Sequence, residues 1–177
     1  MALLCTAFYP SPLGLLTLAS EGEGLVGLWF KGQRHYGARY ALDSAVLLQH
    51  EAAAAPPPLR DAAAWLAAYF AGQHPSPAEL PLAPAGTLFQ QAVWRLLLQI
   101  PYGQTTTYGA LAETLRKNGI PASAQAVGGA VGHNPISIII PCHRVVAAAP
   151  AAAWSYAAGA QTKKALLQHE QALLTLH

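Results

Sequence analysis

A chain of 177 residues, 53% hydrophobic and only 10% charged, can bury one large core or two small ones, and its composition excludes intrinsic disorder. No apolar run reaches the roughly 18 residues of a membrane span, and Met1-Ala-Leu-Leu-Cys5 lacks the basic start of a secretory leader, so a cytoplasmic protein is expected. The net charge of +2 hides an asymmetry: residues 1–87 carry four basic side chains against six acidic, and residues 88–177 carry six against two. That basic second half fits either a polyanionic partner or a solvated surface.

The first third reads as β. Leu3–Tyr9, Leu15–Ala19 and Leu25–Phe30 are short runs separated by Pro10-Ser-Pro-Leu-Gly14 and Glu21-Gly-Glu-Gly24, which predicts an antiparallel meander. Pro56-Pro57-Pro58 is expected to exclude regular structure. A helix follows over about Leu59 to Ala71, with Leu59, Ala62, Leu66 and Phe70 on one face. Four prolines between Gly72 and Gly86 mark a linker, which divides the chain into an amino-terminal domain 1–74, a linker 75–86 and a carboxy-terminal domain 87–177.

The second domain reads as helical with one extended segment. Thr87-x-x-Gln90 is a capping-box pattern, followed by an apolar face of Phe89, Val93, Trp94, Leu97 and Ile100. Pro101-Tyr-Gly103 ends that helix. One of the threonines 105–107 caps a short helix through Tyr108, Leu111 and Leu115; Asn118-Gly-Ile-Pro121 turns; and Ser123 caps a third helix, Ala124–His133. Two short helices about a tight Gly-containing turn match a helix-turn-helix. Gly128-Gly129 costs that third helix about 1 kcal/mol per glycine relative to alanine, which leaves two explanations open: close packing between helices, or close approach of a ligand. An amphipathic helix, Thr162–Leu174, closes the chain.

Two cysteines, Cys5 and Cys142, make no disulfide framework and have no zinc-finger spacing, so neither a metal nor any other cofactor is expected. His35, His50 and His74 read as surface residues. Cys142 sits in Pro141-Cys142-His143-Arg144 after Ile138-Ile139-Ile140. A free thiol is only about 3% thiolate at pH 7, so an adjacent imidazole able to take the proton has a specific chemical use. The residues alone leave Cys142 either a nucleophile or a small buried hydrophobe.

Phe89-Gln90-Gln91-x-Val93-Trp94, Ile100-Pro-Tyr-Gly-x-Thr105-x-x-Tyr108, Ala126-Val127-Gly128-Gly129-Ala130, Asn134-Pro135 and Ile140-Pro-Cys-His-Arg-Val-Val146 follow in order. Together they closely resemble the O6-alkylguanine-DNA alkyltransferases of bacterial type, also called methylated-DNA–protein-cysteine methyltransferases. Ser11-Pro-Leu-Gly14, Glu23-Gly24-Leu25 and Trp29-Phe30 extend the resemblance to nearly the whole chain. It implies a two-domain α/β (α+β) protein: a small ribonuclease-H-like antiparallel sheet domain, and a helical domain holding the helix-turn-helix and the active-site segment.

The resemblance further implies a monomer that binds double-stranded DNA containing O6-alkylguanine, flips the damaged base out and moves the alkyl group irreversibly to its own cysteine, with O4-alkylthymine a further candidate substrate. By matching positions, Cys142 is the nucleophile, His143 takes its proton through a bound water, and Glu170 orients that histidine. Asn134 holds the active-site segment, and Tyr108 donates to the departing guanine. Val145 and Ala157 address the base edge, Tyr156 walls the alkyl pocket, and Arg144 braces the site. Ser123, Ala124, Gln125, Ala126, Gly128 and Gly129 form the DNA face.

Two departures stand out. Gln125 occupies the position where the family usually has an arginine that fills the gap left by the flipped base, so DNA engagement is expected to weaken. Ala147–Trp154 is alanine-rich where relatives carry a polar, Gly-containing loop, and Ala158 and Ala160 also differ. The competing readings are a module that senses alkylated DNA without repairing it, and a thiol-active remnant with poor DNA binding.

Overall fold

The computed structural model describes residues 2–40, 42, 46–47, 54–149 and 154–172. The chain divides into two compact units, residues 1–85 with 135–137, and residues 86–134 with 138–177.

In the first unit β1 (Leu4–Ser11), β2 (Gly14–Glu21) and β3 (Gly24–Phe30) form the expected antiparallel meander, in the order β3-β2-β1. A two-residue β4 (Val46–Leu47), which has no sequence signal, runs parallel to β1. Helix α1 (Pro57–Phe70) lays Leu59, Ala62, Leu66 and Tyr69 against the sheet. Tyr69, not Phe70, therefore completes the buried stripe. Pro57 and Pro58 do not exclude the helix but open it, because the first helical positions need no N–H donor and favour the fixed proline φ.

The other face of the sheet buries Ala19, Val26 and Trp29, with Leu4, Tyr40 and Leu42 against them. Thr17 Oγ1 and the Tyr36 hydroxyl lie 2.7 Å apart, and Tyr36 meets Trp29 edge-on. Tyr36, Tyr40 and Leu42 thus cover that face. Gly27 is what lets Trp29 lie flat on the sheet: a Cβ there would sit 1.9 Å from the indole ring. Within the proline-rich stretch 75–86, Pro77–Glu79 form one 3-10 turn capped by Ser76, and Leu82 bridges to Leu25. His35 and His74 are exposed, and His50 lies outside the described residues.

The second unit holds α2 (Leu88–Leu97), α3 (Tyr108–Lys117), α4 (Ala124–Gly132) and α5 (Ala160–His169). Its short parallel pair is β5 (Thr106–Thr107) with β6 (Val145–Val146). All three predicted caps form. Thr87 Oγ1 accepts from Gln90 N–H while Gln90 Oε1 accepts from Thr87 N–H; Thr107 Oγ1 accepts from Ala110 N–H; Ser123 Oγ accepts from Ala126 N–H. Trp94 Nε1 donates to Ala130 O at 2.9 Å, locking α2 to α4. Arg116 Nη1 donates to Ala122 O at 2.8 Å, bracing the turn between α3 and α4.

The closing helix is shorter than the periodicity predicts. It ends at His169 because Glu170 is its C-cap and Gln171 turns left-handed at φ 60°. Leu173 and Leu174 lie outside the described residues.

Candidate active site

The isoleucine run before Cys142 is buried, yet it makes a turn rather than a strand. Ile138 sits at φ 69°, a conformation that costs a β-branched residue about 1–3 kcal/mol and persists only where its surroundings impose it. Asn134 supplies part of that restraint: its Nδ2 donates to Ile140 O at 2.8 Å and closes 134–140 into a loop. Pro141 then leads into a single 3-10 turn, Cys142–Arg144, whose three side chains are all buried.

Glu170 gathers this turn. Its Oε1 lies 2.7 Å from His143 Nε2. Arg144 grips the same carboxylate as a fork, Nε to Oε2 at 2.8 Å and Nη2 to Oε1 at 3.0 Å, and donates Nη1 to Ile100 O at 2.7 Å. Gly103 N–H adds a longer donor to Oε2 at 3.3 Å. Glycine is required there: φ is 77°, and a Cβ would press on Glu170 O at 3.1 Å. The Tyr102 ring lies under the guanidinium, 5.7 Å away.

Burial opposes the Glu170 charge, but hydrogen bonds and charge from His143 and Arg144 outweigh it and hold the carboxyl well below the usual carboxylate range. Burial lowers His143, against the pull of Glu170, so the ring is neutral at pH 7. With Nε2–H directed at Glu170, the acceptor is Nδ1, which is buried and has no partner among the described residues. The Cys142 thiol, 5% exposed, is pushed up by burial and drawn back in part by Asn134, Tyr156 and Lys163. It is a protonated thiol at rest. Tyr108 opens α3; burial and the nearby Cys142 raise its phenol, which keeps its proton.

Two models of the 6-O-methylguanine DNA methyltransferases match the chain, the ribonuclease-like domain over residues 4–84 and the DNA binding domain over 88–172. The methylated-DNA–protein-cysteine methyltransferase of Haemophilus influenzae is 39% identical over 97% of this chain and 88% of its own. That of Methanosarcina acetivorans is 41% identical over 93% and 96%. This chain belongs to the methylated-DNA–protein-cysteine methyltransferase family. The fold agrees: the crystal structure of Mycobacterium tuberculosis OGT in complex with DNA matches at a TM-score of 0.76 and 38% identity, over 94% of this chain and 92% of that one.

In this member of the family, Cys142, His143, Arg144, Asn134 and Glu170 come together, and Tyr156 borders the thiol. Ser123, Ala124, Gln125, Ala126 and Gly129 lie exposed along α4, with Gly128 half-buried. Close helix packing does not explain the two glycines. A Cβ at Gly128 would meet the Tyr108 ring at an ordinary 3.8 Å, and one at Gly129 would meet nothing within 4 Å. Residues 150–153 of the alanine-rich loop lie outside the described residues; Trp154 packs on Val146, Leu167 and Ala172 under the Lys164 amine.

Sequence reasoning missed Lys163, which it counted only among the six basic side chains of residues 88–177. The side chain is 0% exposed, and its Nζ donates to Val145 O at 2.6 Å and Ser155 O at 3.1 Å. Burial lowers its pKa to about 8. The helical period carried the signal, since Lys163, Leu166, Leu167 and Glu170 share one stripe of α5. Among the described residues no three His, Cys, Asp or Glu side chains converge as a metal site, and no helix is long and apolar enough to cross a membrane.

Proposed function

We propose that this chain is a single-turnover DNA repair protein that takes the alkyl group of O6-alkylguanine in double-stranded DNA onto Cys142 Sγ. The observation that carries the reading is the buried His143, next to Cys142 in the same 3-10 turn, held through Nε2 by Glu170 with no partner for Nδ1 among the described residues. The Cys142 proton passes to His143 Nδ1 by way of a water. The S–C bond forms as the O6–C bond breaks, and the bonding pair leaves with the guanine. Tyr108 offers its O–H to that developing charge, and the proton held at His143 restores the balance. The products are a thioether, which has no easy exit, and an unmodified guanine.

Arg144 serves the reaction indirectly. It fixes the Glu170 charge and orientation, which fixes the histidine tautomer. Lys163 draws on the Val145 carbonyl while leaving its second lone pair for a base edge. On α4 the two glycines leave room for a DNA backbone, while Gln125 offers less charge and stacking than arginine.

Incubating the protein with a duplex bearing O6-methylguanine, beside Cys142→Ala, tests the reading by mass. One methyl group should appear on the Cys142 peptide and none on the variant. An unmodified Cys142 would refute it. Rapid labelling by free O6-benzylguanine with none by the duplex would support the remnant reading instead.

A further inference from the structure

The left-handed turn at Ile138 is restrained on its far side by Asn134, through Ile140 O. Its near side is held by the segment that enters it. Residues 135–137 belong to the first unit, where they run beside β3. Leu28 N–H donates to Pro135 O and Ser137 N–H donates to Leu28 O, both at 2.9 Å, so Ile136 pairs with Leu28 in parallel. Ile136 is fully buried, and Ser137 is 2% exposed. A hydroxyl so enclosed needs a partner. It donates to Gln33 Oε1 at 3.4 Å. Gln33 is itself buried and fixed: the same oxygen accepts from Phe30 N–H at 2.8 Å, and Nε2 donates to Arg34 O at 3.3 Å.

Ser137 is therefore pinned through its main chain and its side chain together, which sets the peptide plane that enters Ile138. Freed at this end, Ile138 would relax toward the negative φ that a β-branched residue prefers. Ile140 O would then leave Asn134 Nδ2 and also Cys142 N–H, which donates to it at 2.8 Å. Asn134 is in addition one of the groups that draw the Cys142 thiol down against burial. We propose that Ser137 and Gln33 are positioning residues for alkyl transfer: their hydrogen bond holds the entry to the Ile138 turn and, through Ile140 and Asn134, sets Cys142 in place for attack. This rests on the transfer reaction proposed above and gives the ribonuclease-like unit a part in it.

Ser137→Ala removes the hydroxyl and little else. In single-turnover methyl transfer from a duplex bearing O6-methylguanine, the rate at saturating duplex should fall about fivefold, while the duplex dissociation constant does not change. Ser137→Thr, which keeps the hydroxyl, should restore the rate. Gln33→Met, of similar length but without an acceptor, should also slow transfer, and Ser137→Ala should add no further loss in that background. A second readout needs no lesion: in Ser137→Ala the Cys142 amide should exchange with deuterium about tenfold faster, with the amides of β1 and β2 as in the parent. The proposal is overturned if Ser137→Ala transfers methyl at the parent rate, if the two substitutions slow it independently, or if Cys142 exchange stays as in the parent. A parent chain that takes no methyl from the duplex would refute the transfer reaction itself, while Cys142 exchange still decides whether Ser137 and Gln33 hold the thiol segment.

Discussion

Replacing Lys163 with methionine gives a stability change whose dependence on pH is set by a single amine. Lys163 is fully buried, and burial takes its pKa from 10.5 to about 8, a difference worth about 3 kcal/mol. Below pH 8 the amine is charged whether the chain is folded or not, and the folded state carries the whole burial penalty. Between pH 8 and 10.5 the unfolded chain holds the proton and the folded chain has released it, so this group makes stability rise with pH. Above 10.5 the amine is neutral in both states, and the gain is complete. Lys163→Met abolishes this titration and leaves Val145 O and Ser155 O without a donor, a roughly constant loss of about 1–3 kcal/mol for each carbonyl. Urea unfolding across this range, with parent and variant both carrying Cys142→Ala because Lys163 and Cys142 act on each other's protons, gives the difference directly. Parent minus variant should rise by about 3 kcal/mol from pH 8 to 10.5. A flat difference would refute the assignment of a depressed, buried amine.

Glu170→Gln leaves the Arg144 guanidinium buried without its counter-charge, so thermal unfolding should show a loss of about 3–5 kcal/mol; an unchanged melting temperature would contradict the buried fork. Gln125→Arg should strengthen duplex-dependent labelling by about 1–3 kcal/mol while free O6-benzylguanine reacts as before, which single-turnover assays with both substrates would distinguish. Gly27→Ala drives a methyl group into the Trp29 ring, and denaturant titration should register a loss of about 1–3 kcal/mol.

What could be read from the sequence was local. Thr87, Thr107 and Ser123 each cap a helix by bonding three residues ahead, so a short window holds the whole signal. Cys142 and His143 are likewise neighbours. Glu170 is different: it joins them from the far end of α5, and only family resemblance pointed to it, because a buried carboxylate among leucines is otherwise improbable. The Arg144 link to Ile100 O is a tertiary fact with no short-range signature, whereas the burial of Lys163 left a local trace in its place on the apolar stripe of α5. Pro57 misled because the same missing N–H that breaks a helix interior suits its first turn. The cover formed by Tyr36, Tyr40 and Leu42 has no periodicity, since it packs through isolated contacts such as Tyr36 on Trp29.

The resting state of Cys142 has a consequence for a molecule that is used once. Reactive thiols in a cell are consumed by oxidants and small electrophiles in proportion to their thiolate content and their access to solvent. Cys142 offers little of either: it is 5% exposed and its proton is held by burial. On the proposed mechanism its nucleophilicity stays latent until a substrate is bound and His143 takes the proton. On that mechanism each molecule would be reserved for the lesion rather than spent on stray chemistry.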